Sequence, residues 1–409
     1  MSKGLDELKH IVVIMMENRS FDHMLGGLKK LDPRINGLTG NESNLDTTNE
    51  PAKVQAKAEF QGQLDPDPDH HFAAVNKQLF TGTAGPPGVP SMQGFVKSYF
   101  DQKADVDHSR KIMYYFKPDD LPVLTSLARS FAVFNGWFSS IPGPTICNRA
   151  FAHYGTSFGS VTMDPFVVRP PYKSIYDRML GAGKTAKLYY FDIASSTMEV
   201  VNLLSNQPQI FGTYQQLLSD CDNGTLPDYC FIEPNYKDHP GPDGGELLAS
   251  DQHPDHDVQS GEIFIASIYN KIIANDQLRN STAILVVYDE HGGIYDHVPP
   301  PTCVPDAPFV ASADDTGTGQ PFSFDRLGVR VPAILISPWI KKSTVVPGPE
   351  DAANGKIYEH ASIPATVTKY FIGDLDARSP REKNARSFLD DMLGDVARPP
   401  EDCPFFQLD

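Results

Sequence analysis

Acidic and amide side chains follow two apolar runs of the sequence and could together bind a divalent cation. Glu17 and Asn18 directly follow the run HIVVIMM, and Asp289 and Glu290 directly follow AILVVY. Carboxylate and amide oxygens are the ligands that Ca, Mg and Mn prefer in proteins. The alternative explanation is that both pairs simply cap the turns or helices that come next.

Thr145 is a candidate nucleophile because of the turn that precedes it. Pro142, Gly143 and Pro144 exclude regular structure, and the segment NRAFAHYGTS predicts the opening of a helix just after Thr145. A hydroxyl at such a turn lies beside unpaired backbone N–H groups and the positive end of the helix dipole, where phosphate binds. An ordinary threonine near a helix start is the alternative.

Histidines in acidic loops are candidates for proton transfer. His70 lies in DPDPDHH, and His253 and His256 lie in HPDHD. The imidazole titrates near neutral pH and therefore suits general acid–base chemistry. The alternative is that these loop histidines are only solvated. His291, directly after the second acidic pair, allows the same two interpretations.

Buried strands and helices alternate along the chain and must position these side chains. Apolar runs without alternation predict strands buried on both faces, as parallel sheets require. Strands are predicted at 10–16, 131–138, 186–192, 229–236, 283–288 and 329–340, and helices at 121–131, 258–274 and 358–371. This order predicts an α/β fold of three α/β/α layers around a doubly wound, mostly parallel sheet with loop and helical insertions. Such sheets bind ligands at the carboxyl ends of their strands.

The chain is interpreted as a single catalytic domain over residues 1–409. With 409 residues and a hydrophobic fraction of 40%, it can bury a large core. Residues 28–110 begin with a polar, turn-rich stretch without periodicity, which predicts a cap-like insertion. Residues 372–409 are interpreted as a C-terminal tail.

Charge and composition restrict the partners. A net charge of -17 and a pI near 5.1 argue against nucleic-acid binding and against electrostatic docking on anionic lipid. No apolar stretch reaches the roughly 20 residues of a membrane-spanning helix, and the first residues lack the pattern of a signal peptide. A cytoplasmic protein, export without a signal, or a signal already removed are all compatible with this. The five cysteines show no CxxC spacing, although Cys221 and Cys230 could close one small loop.

Five motifs together resemble a known family. They are MMENRSFDHMLG, SIPGPT followed by NR and GTS, HPDHDVQSGE, YDEHGGIYDHVPPP and YEHASIPATV. In this order they resemble the bacterial and plant non-specific phospholipases C and related acid phosphatases, over residues 10 to about 371. The resemblance implies an alkaline-phosphatase-like α/β/α core and hydrolysis of phosphate esters at a metal centre.

The resemblance also implies roles for individual residues. The metal ligands are Glu17, Asn18, Thr145, Asp289 and Glu290, and Thr145 is also the nucleophile. His70, His253 and His256 match catalytic positions that face the phosphate. Asn148, His291 and His360 lie inside family motifs and are predicted to contact substrate or phosphate. Threonine at the nucleophile position is typical of the phospholipase branch, whereas the acid phosphatases can carry serine.

The predicted function is therefore that of a metal-dependent phosphoesterase. We expect a phospholipase C that cleaves phosphatidylcholine-type lipids to diacylglycerol and the phosphorylated headgroup through a phosphothreonine intermediate. An acid phosphatase on soluble monoesters and a catalytically silent binding protein for phosphate esters are the alternatives. One divalent ion is expected, with Ca, Mg or Mn favoured by the oxygen ligands and Zn compatible with the nearby histidines. Many relatives have a long C-terminal extension that is absent here, so at most peripheral membrane contact is expected, and the oligomeric state is left open.

Overall fold

The structure, a computed structural model, describes residues 2–81, 89–164, 168–191, 208–241, 245–373 and 378–408. The strands are β1 (His10–Met16), β2 (Ser43–Leu45), β3 (Pro51–Lys53), β4 (Ala132–Phe134), β5 (Ala186–Tyr190), β6 (Phe211–Thr213), β7 (Tyr229–Ile232), β8 (His239–Pro240), β9 (Glu246–Leu247), β10 (Thr282–Tyr288), β11 (Ala333–Ile336) and β12 (Thr344–Val346). The α-helices are Lys3–Glu7, Phe21–Leu25, Phe72–Phe80, Phe95–Gln102, Val106–Ser109, Pro122–Ser130, Thr145–Tyr154, Ile175–Gly181, Tyr214–Asn223, Val258–Ala274, Asp276–Arg279, Ala313–Thr316, Ser362–Val367 and Pro380–Asn384. Short 3₁₀ turns lie at Gly26–Lys30, Arg110–Met113, Pro118–Asp120, Pro208–Ile210 and Pro400–Asp402, and a π-helical turn at Thr368–Ile372.

Eight strands form one central sheet in the order β12-β4-β11-β10-β1-β7-β5-β6. β11 runs antiparallel to both of its neighbours, and the other pairs are parallel. The central strands β1 and β10 are continuously apolar after their first residues, His10 and Thr282, and β10 is buried along its whole length. Such burial on both faces requires a helical layer on each side of the sheet.

Helices pack on both faces of this sheet. One layer contains Pro122–Ser130, Tyr214–Asn223 and Val258–Ala274, and the last of these helices contacts each of the other two. The opposite layer contains Thr145–Tyr154, Ile175–Gly181 and the helical segment from Ser362 to Ile372. These three layers confirm the predicted α/β/α fold class.

The predicted elements are present, with boundaries that differ in detail. The predicted strand 186–192 ends at Tyr190, and residue 192 lies outside the described residues. The last predicted helix begins at Ser362 rather than 358, because the backbone of Tyr358 pairs with residues 136 and 138 beside β4. Propensity alone does not reveal such a pairing.

A second hydrophobic cluster lies outside the sheet layers. Most of its members come from residues 38–115, with contributions from Ile294, Tyr295 and Val329. The described part of segment 28–110 thus has a small core of its own, while residues 82–88 lie outside the described residues. The division into a catalytic domain, a cap-like insertion and a tail stays a prediction.

A buried ion-pair network ties the loops that follow β1 and β10. Arg330 donates from Nη2 to Asp22 Oδ1 at 2.9 Å and from Nε to Asp296 Oδ2 at 3.2 Å. His297 Nδ1 donates to the other oxygen of Asp22 at 2.6 Å. Asp22 and Asp296 belong to two of the sequence motifs, and these contacts hold the two motif loops together.

The five cysteines are all free, so Cys221 and Cys230 do not form a disulfide. In the part of the chain that the structure describes, no helix combines the length and the apolar character needed to cross a bilayer.

Candidate active site

The two predicted ligand pairs lie side by side at the carboxyl ends of β1 and β10. The parallel register pairs Met16 with Tyr288, so the residues that follow each strand emerge next to each other. The backbone N–H of Asn18 donates to Asp289 Oδ1 at 3.0 Å. We refer to Glu17, Asn18, Asp289 and Glu290 as the oxygen cluster. The structure therefore places the four predicted ligand residues on two adjacent loops at one edge of the sheet.

A glycine allows these two loops to approach closely. A Cβ atom at Gly292 would lie 2.1 Å from the carbonyl oxygen of Asn18, and the φ angle of Gly292 is +62°. Both facts exclude larger residues at this position. The N–H of Gly292 donates to Glu290 Oε2 at 2.8 Å and fixes the orientation of that carboxylate.

Thr145 is the first residue of its helix and reaches the oxygen cluster. Pro144 occupies the N-cap, and the Thr145 hydroxyl donates to Asn18 Oδ1 at 3.3 Å. The first-turn N–H groups of a helix lack intrahelical acceptors and favour an anion. The helix, ten residues long, therefore presents a hydroxyl and a phosphate-binding end to the same place.

Arg149, one helical turn after Thr145, bridges the buried carboxylates. Its guanidinium lies 3.0 Å from Glu17 Oε1, 3.2 Å from Asp289 Oδ2 and 3.4 Å from Glu233 Oε1. Arg149 lies within one of the five motifs, but no role was predicted for it. Arg149 follows Thr145 by four residues, which places both side chains on one face of the helix. This spacing could have indicated that Arg149 lies near the site.

The electrostatics of the oxygen cluster fit a bound cation. Burial raises the pKa of Glu17 to about 8 and also raises the pKa of Asp289, although Arg149 lowers both. Burial likewise acts to raise the pKa of Glu290, but His70 and His291 hold it below its usual value. Glu290 Oε1 is a buried oxygen without a hydrogen-bond partner among the described residues. Crowded carboxylates and an orphaned oxygen are the donor set that a divalent cation would satisfy.

The three predicted catalytic histidines share one arrangement of their rings. Nδ1 of His70 donates to the carbonyl of Pro68 at 2.8 Å, Nδ1 of His253 to Asp255 at 2.5 Å, and Nδ1 of His256 to Asp251 at 2.7 Å. On the other side of each ring, His70 Nε2 lies 3.5 Å from Asn18 Nδ2, His253 Nε2 lies 3.6 Å from Asp67 Oδ2, and His256 Nε2 lies 3.7 Å from Asp255 Oδ1. His70 Nε2 lies 4.0 Å from Glu290 Oε1, beside the oxygen cluster.

His253 connects the other two rings. Its centroid is 6.3 Å from that of His70 and 5.7 Å from that of His256, so the three rings form a row beside the oxygen cluster. Although burial opposes charging, Asp255, Asp67 and Glu17 raise the pKa of His253 to about 10. The pKa values of His70 and His256 are also raised, because their acidic partners outweigh burial. Protonated imidazoles can donate a proton to a leaving group.

Asn148, His291 and His360 are fully or almost fully buried and already hydrogen bonded to protein. Asn148 donates to the Gly143 carbonyl at 2.8 Å, and His360 Nε2 donates to the Asp289 carbonyl at 2.5 Å. His291 Nε2 donates to Gln78 Oε1 at 2.9 Å. Burial lowers the pKa of His360 to about 4 and also lowers the pKa of His291, so burial disfavours the charged form of both rings. Their predicted contact with substrate stays a prediction, and their observed contacts support the loops that carry the oxygen cluster.

Acidic partners of the histidines were not predicted from the sequence. Asp251 is 1% exposed and accepts from His256, and its backbone carbonyl accepts from the N–H of Glu17. Asp67 Oδ2 lies 3.6 Å from His253 Nε2 and 3.8 Å from His70 Nδ1. Asp67 lies in the same loop as His70, and Asp251 lies two residues before His253.

The fold and site define an α/β protein with an oxygen-rich cluster beside a hydroxyl at a helix N-terminus. The chain belongs to the phosphoesterase family, whose model matches residues 8–372. It is 38% identical over 408 residues to non-specific phospholipase C6 of Arabidopsis thaliana, covering 97% of this chain and 74% of the relative. Phospholipase C B of Mycobacterium tuberculosis (strain ATCC 25618 / H37Rv) is 27% identical over 387 residues, covering 84% of this chain and 70% of the relative. The protein is a hydrolase that acts on phosphoric ester bonds.

Solved structures with a partial likeness were also found. The lipoteichoic acid synthase LtaP from Listeria monocytogenes is 10% identical with a TM-score of 0.40, covering 92% of this chain and 74% of that chain. A protein in the alkaline phosphatase superfamily from Vibrio parahaemolyticus is 10% identical with a TM-score of 0.36, covering 61% of this chain and 60% of that chain.

Proposed function

We propose that this protein is a metal-dependent phospholipase C that cleaves phosphatidylcholine-type lipids through a phosphothreonine intermediate. The observation that carries the proposal is the position of the Thr145 hydroxyl, at a helix N-terminus and 3.3 Å from Asn18 Oδ1 in the oxygen cluster. A nucleophile needs both activation and a place to hold the phosphate, and this position offers both. The similarity of this chain to phospholipases C supports a phospholipid as the substrate.

The oxygen cluster together with Thr145 would hold one divalent cation. Such a cation lowers the pKa of a nearby hydroxyl and neutralises charge on a phosphate oxygen. Ca, Mg and Mn suit these oxygen donors, and zinc would need the neighbouring imidazoles as well. Arg149 keeps the carboxylates of Glu17 and Asp289 in place for this purpose, since it contacts one oxygen of each.

The chain's own residues carry out two displacement steps. Thr145 Oγ1, after losing its proton to solvent, forms a bond to phosphorus while the bond from phosphorus to the diacylglycerol oxygen breaks. A protonated histidine of the row, His256 or His253, gives its proton to that departing oxygen. Water then attacks the phosphothreonine and gives a proton to the same imidazole, and Thr145 leaves and is reprotonated.

The acidic character of the protein favours a zwitterionic lipid. With a net charge of -17, the surface is repelled by anionic membranes and gains nothing from their charge. A phosphocholine headgroup carries no net charge and avoids this repulsion. Hydrolysis of soluble monoesters, as in acid phosphatases, is the competing outcome of the test below.

The test compares p-nitrophenylphosphorylcholine, p-nitrophenyl phosphate and phosphatidylcholine vesicles at the same enzyme concentration. We expect turnover of the choline diester and release of diacylglycerol with phosphocholine from the vesicles. Faster turnover of the monoester, with no diacylglycerol, would identify an acid phosphatase instead. No turnover of any of the three would leave only a binding function.

A further inference from the structure

Two histidines and an aspartate form a compact group beside the oxygen cluster. His253, Asp255 and His256 each offer one ligand atom, and these three atoms lie within 4.8 Å of one another. We refer to them as the imidazole cluster. They belong to one turn, closed by the backbone hydrogen bond from His256 N–H to the His253 carbonyl at 2.8 Å. A local turn brings the three side chains together at little cost in chain entropy.

The surroundings of the cluster resemble those of a metal site. Nδ1 of His256 donates to Asp251, a carboxylate that is 1% exposed, and Nε2 of His256 lies 3.7 Å from Asp255 Oδ1. A carboxylate behind the ring is the usual partner of a metal-bound histidine, because it fixes both the tautomer and the orientation of the ring. The side chain of Asp255 is 54% exposed, so an ion can enter from solvent.

A second group of one histidine and two aspartates has different surroundings from those of the imidazole cluster. Asp22, Asp296 and His297 also place ligand atoms within 4.8 Å of one another. There, Arg330 donates to both carboxylates and His297 donates to Asp22, so the three ligand residues are members of the buried network that joins the two motif loops. No arginine or lysine ion pair to the imidazole cluster is found among the described residues.

We propose that the imidazole cluster is a second metal site, selective for a borderline cation such as Zn²⁺. Two imidazoles and a carboxylate are a common ligand set for zinc, whereas the oxygen cluster suits hard ions. Zinc at this site occupies His253 and His256, one of which is the proposed proton donor. Zinc therefore inhibits the enzyme while a hard ion still occupies the oxygen cluster. This inhibitory role rests on the proposed function, but binding itself does not.

The binding test uses equilibrium dialysis of the full chain against Zn²⁺, with elemental analysis. The Glu17→Gln background weakens the oxygen cluster, so the retained zinc reports the imidazole cluster. Adding Asp255→Asn to that background is expected to lower zinc affinity by more than about tenfold, since even outer-shell partners of a metal contribute about 10- to 100-fold. Asp257→Asn is the matched control, because Asp257 caps the next helix through the Gln259 N–H and lies outside the cluster. Loss of all zinc on Glu17→Gln alone, or unchanged zinc binding after Asp255→Asn, would overturn the site.

The activity test adds zinc to the magnesium-loaded enzyme and follows p-nitrophenylphosphorylcholine. We expect the zinc concentration for half inhibition to rise about tenfold in Asp255→Asn and to stay unchanged in Asp257→Asn. Equal inhibition of both variants would refute the inhibitory role. Absence of activity on this ester would contradict the proposed function. The dialysis experiment tests zinc binding at the imidazole cluster independently of activity.

Discussion

Removal of the Thr145 hydroxyl should abolish turnover while leaving the fold intact. Thr145 makes one long hydrogen bond, to Asn18 Oδ1 at 3.3 Å, and its loss costs about 0.5–1.5 kcal/mol of stability at most. If the hydroxyl attacks phosphorus, Thr145→Ala should lower kcat by on the order of 10³ or more, which corresponds to about 4 kcal/mol of activation free energy. The increase in activation free energy is then several times larger than the loss of folding stability.

The assay measures kcat and KM on p-nitrophenylphosphorylcholine together with thermal unfolding. Thr145→Ser should keep a measurable part of kcat, since serine supplies the same oxygen with a less restricted rotamer. The control is Thr213→Ala, because Thr213 accepts from the Gln216 N–H at the start of a helix beside the edge strand β6. That change should cost about 1 kcal/mol of stability and no activity.

Acid quenching during turnover, followed by mass spectrometry, looks directly for the covalent intermediate. A phosphocholine group on the peptide that contains Thr145 is the expected result. The reasoning is refuted if no modified peptide accumulates when the second step is slowed and Thr145→Ala still turns over at more than roughly a tenth of the parent rate. In that case water attacks the phosphorus directly, and Thr145 serves only as a ligand of the cation.

Three further outcomes follow from the site. Prolonged chelation should abolish activity and a hard divalent ion should restore it; full activity in protein shown by elemental analysis to be metal-free would contradict the oxygen cluster as a metal site. His256→Ala should slow substrates with alkoxide leaving groups much more than p-nitrophenyl esters, which need no proton, and equal losses would indicate a binding role. Arg149→Met should cost about 3–5 kcal/mol in chelator, because Glu17 and Asp289 lose a buried partner, and a divalent ion should restore part of this stability. Denaturant unfolding with and without the ion measures the difference, and Arg178→Met, which breaks a buried pair elsewhere, should show no such rescue.

The central strands and their polar ends could be predicted because local composition determines them. The runs at 10–16 and 283–288 are apolar on both faces, and only the middle of a sheet accommodates such segments. Once these runs are parallel neighbours, Glu17 and Asp289 must meet at one edge. The antiparallel direction of β11 could not be predicted, since a short buried run has the same composition in either direction.

Contacts between distant segments account for what the sequence did not show. Arg149 lies 84 positions from Glu233 and 140 from Asp289, and no local pattern links them. The same holds for Asp67 and His253, which come from separate loops and meet only in the folded chain. Residue type identified the candidates, but their hydrogen-bond partners depend on the tertiary fold.

The close approach of Gly292 to Asn18 has a consequence for ion selection. The backbone of one ligand loop lies directly against the backbone of the other there, so no side chain between them can change the spacing of the two loops. Oxygen ligands lie about 2.0–2.1 Å from Mg²⁺ and about 2.3–2.6 Å from Ca²⁺, so a fixed gap discriminates by ionic radius. A larger ion would have to push apart two strands joined along seven paired residues. We therefore expect the spacing of β1 and β10 to determine which cation is preferred. Replacing one ligand side chain should then weaken cation binding more than it changes the preference between Mg²⁺ and Ca²⁺.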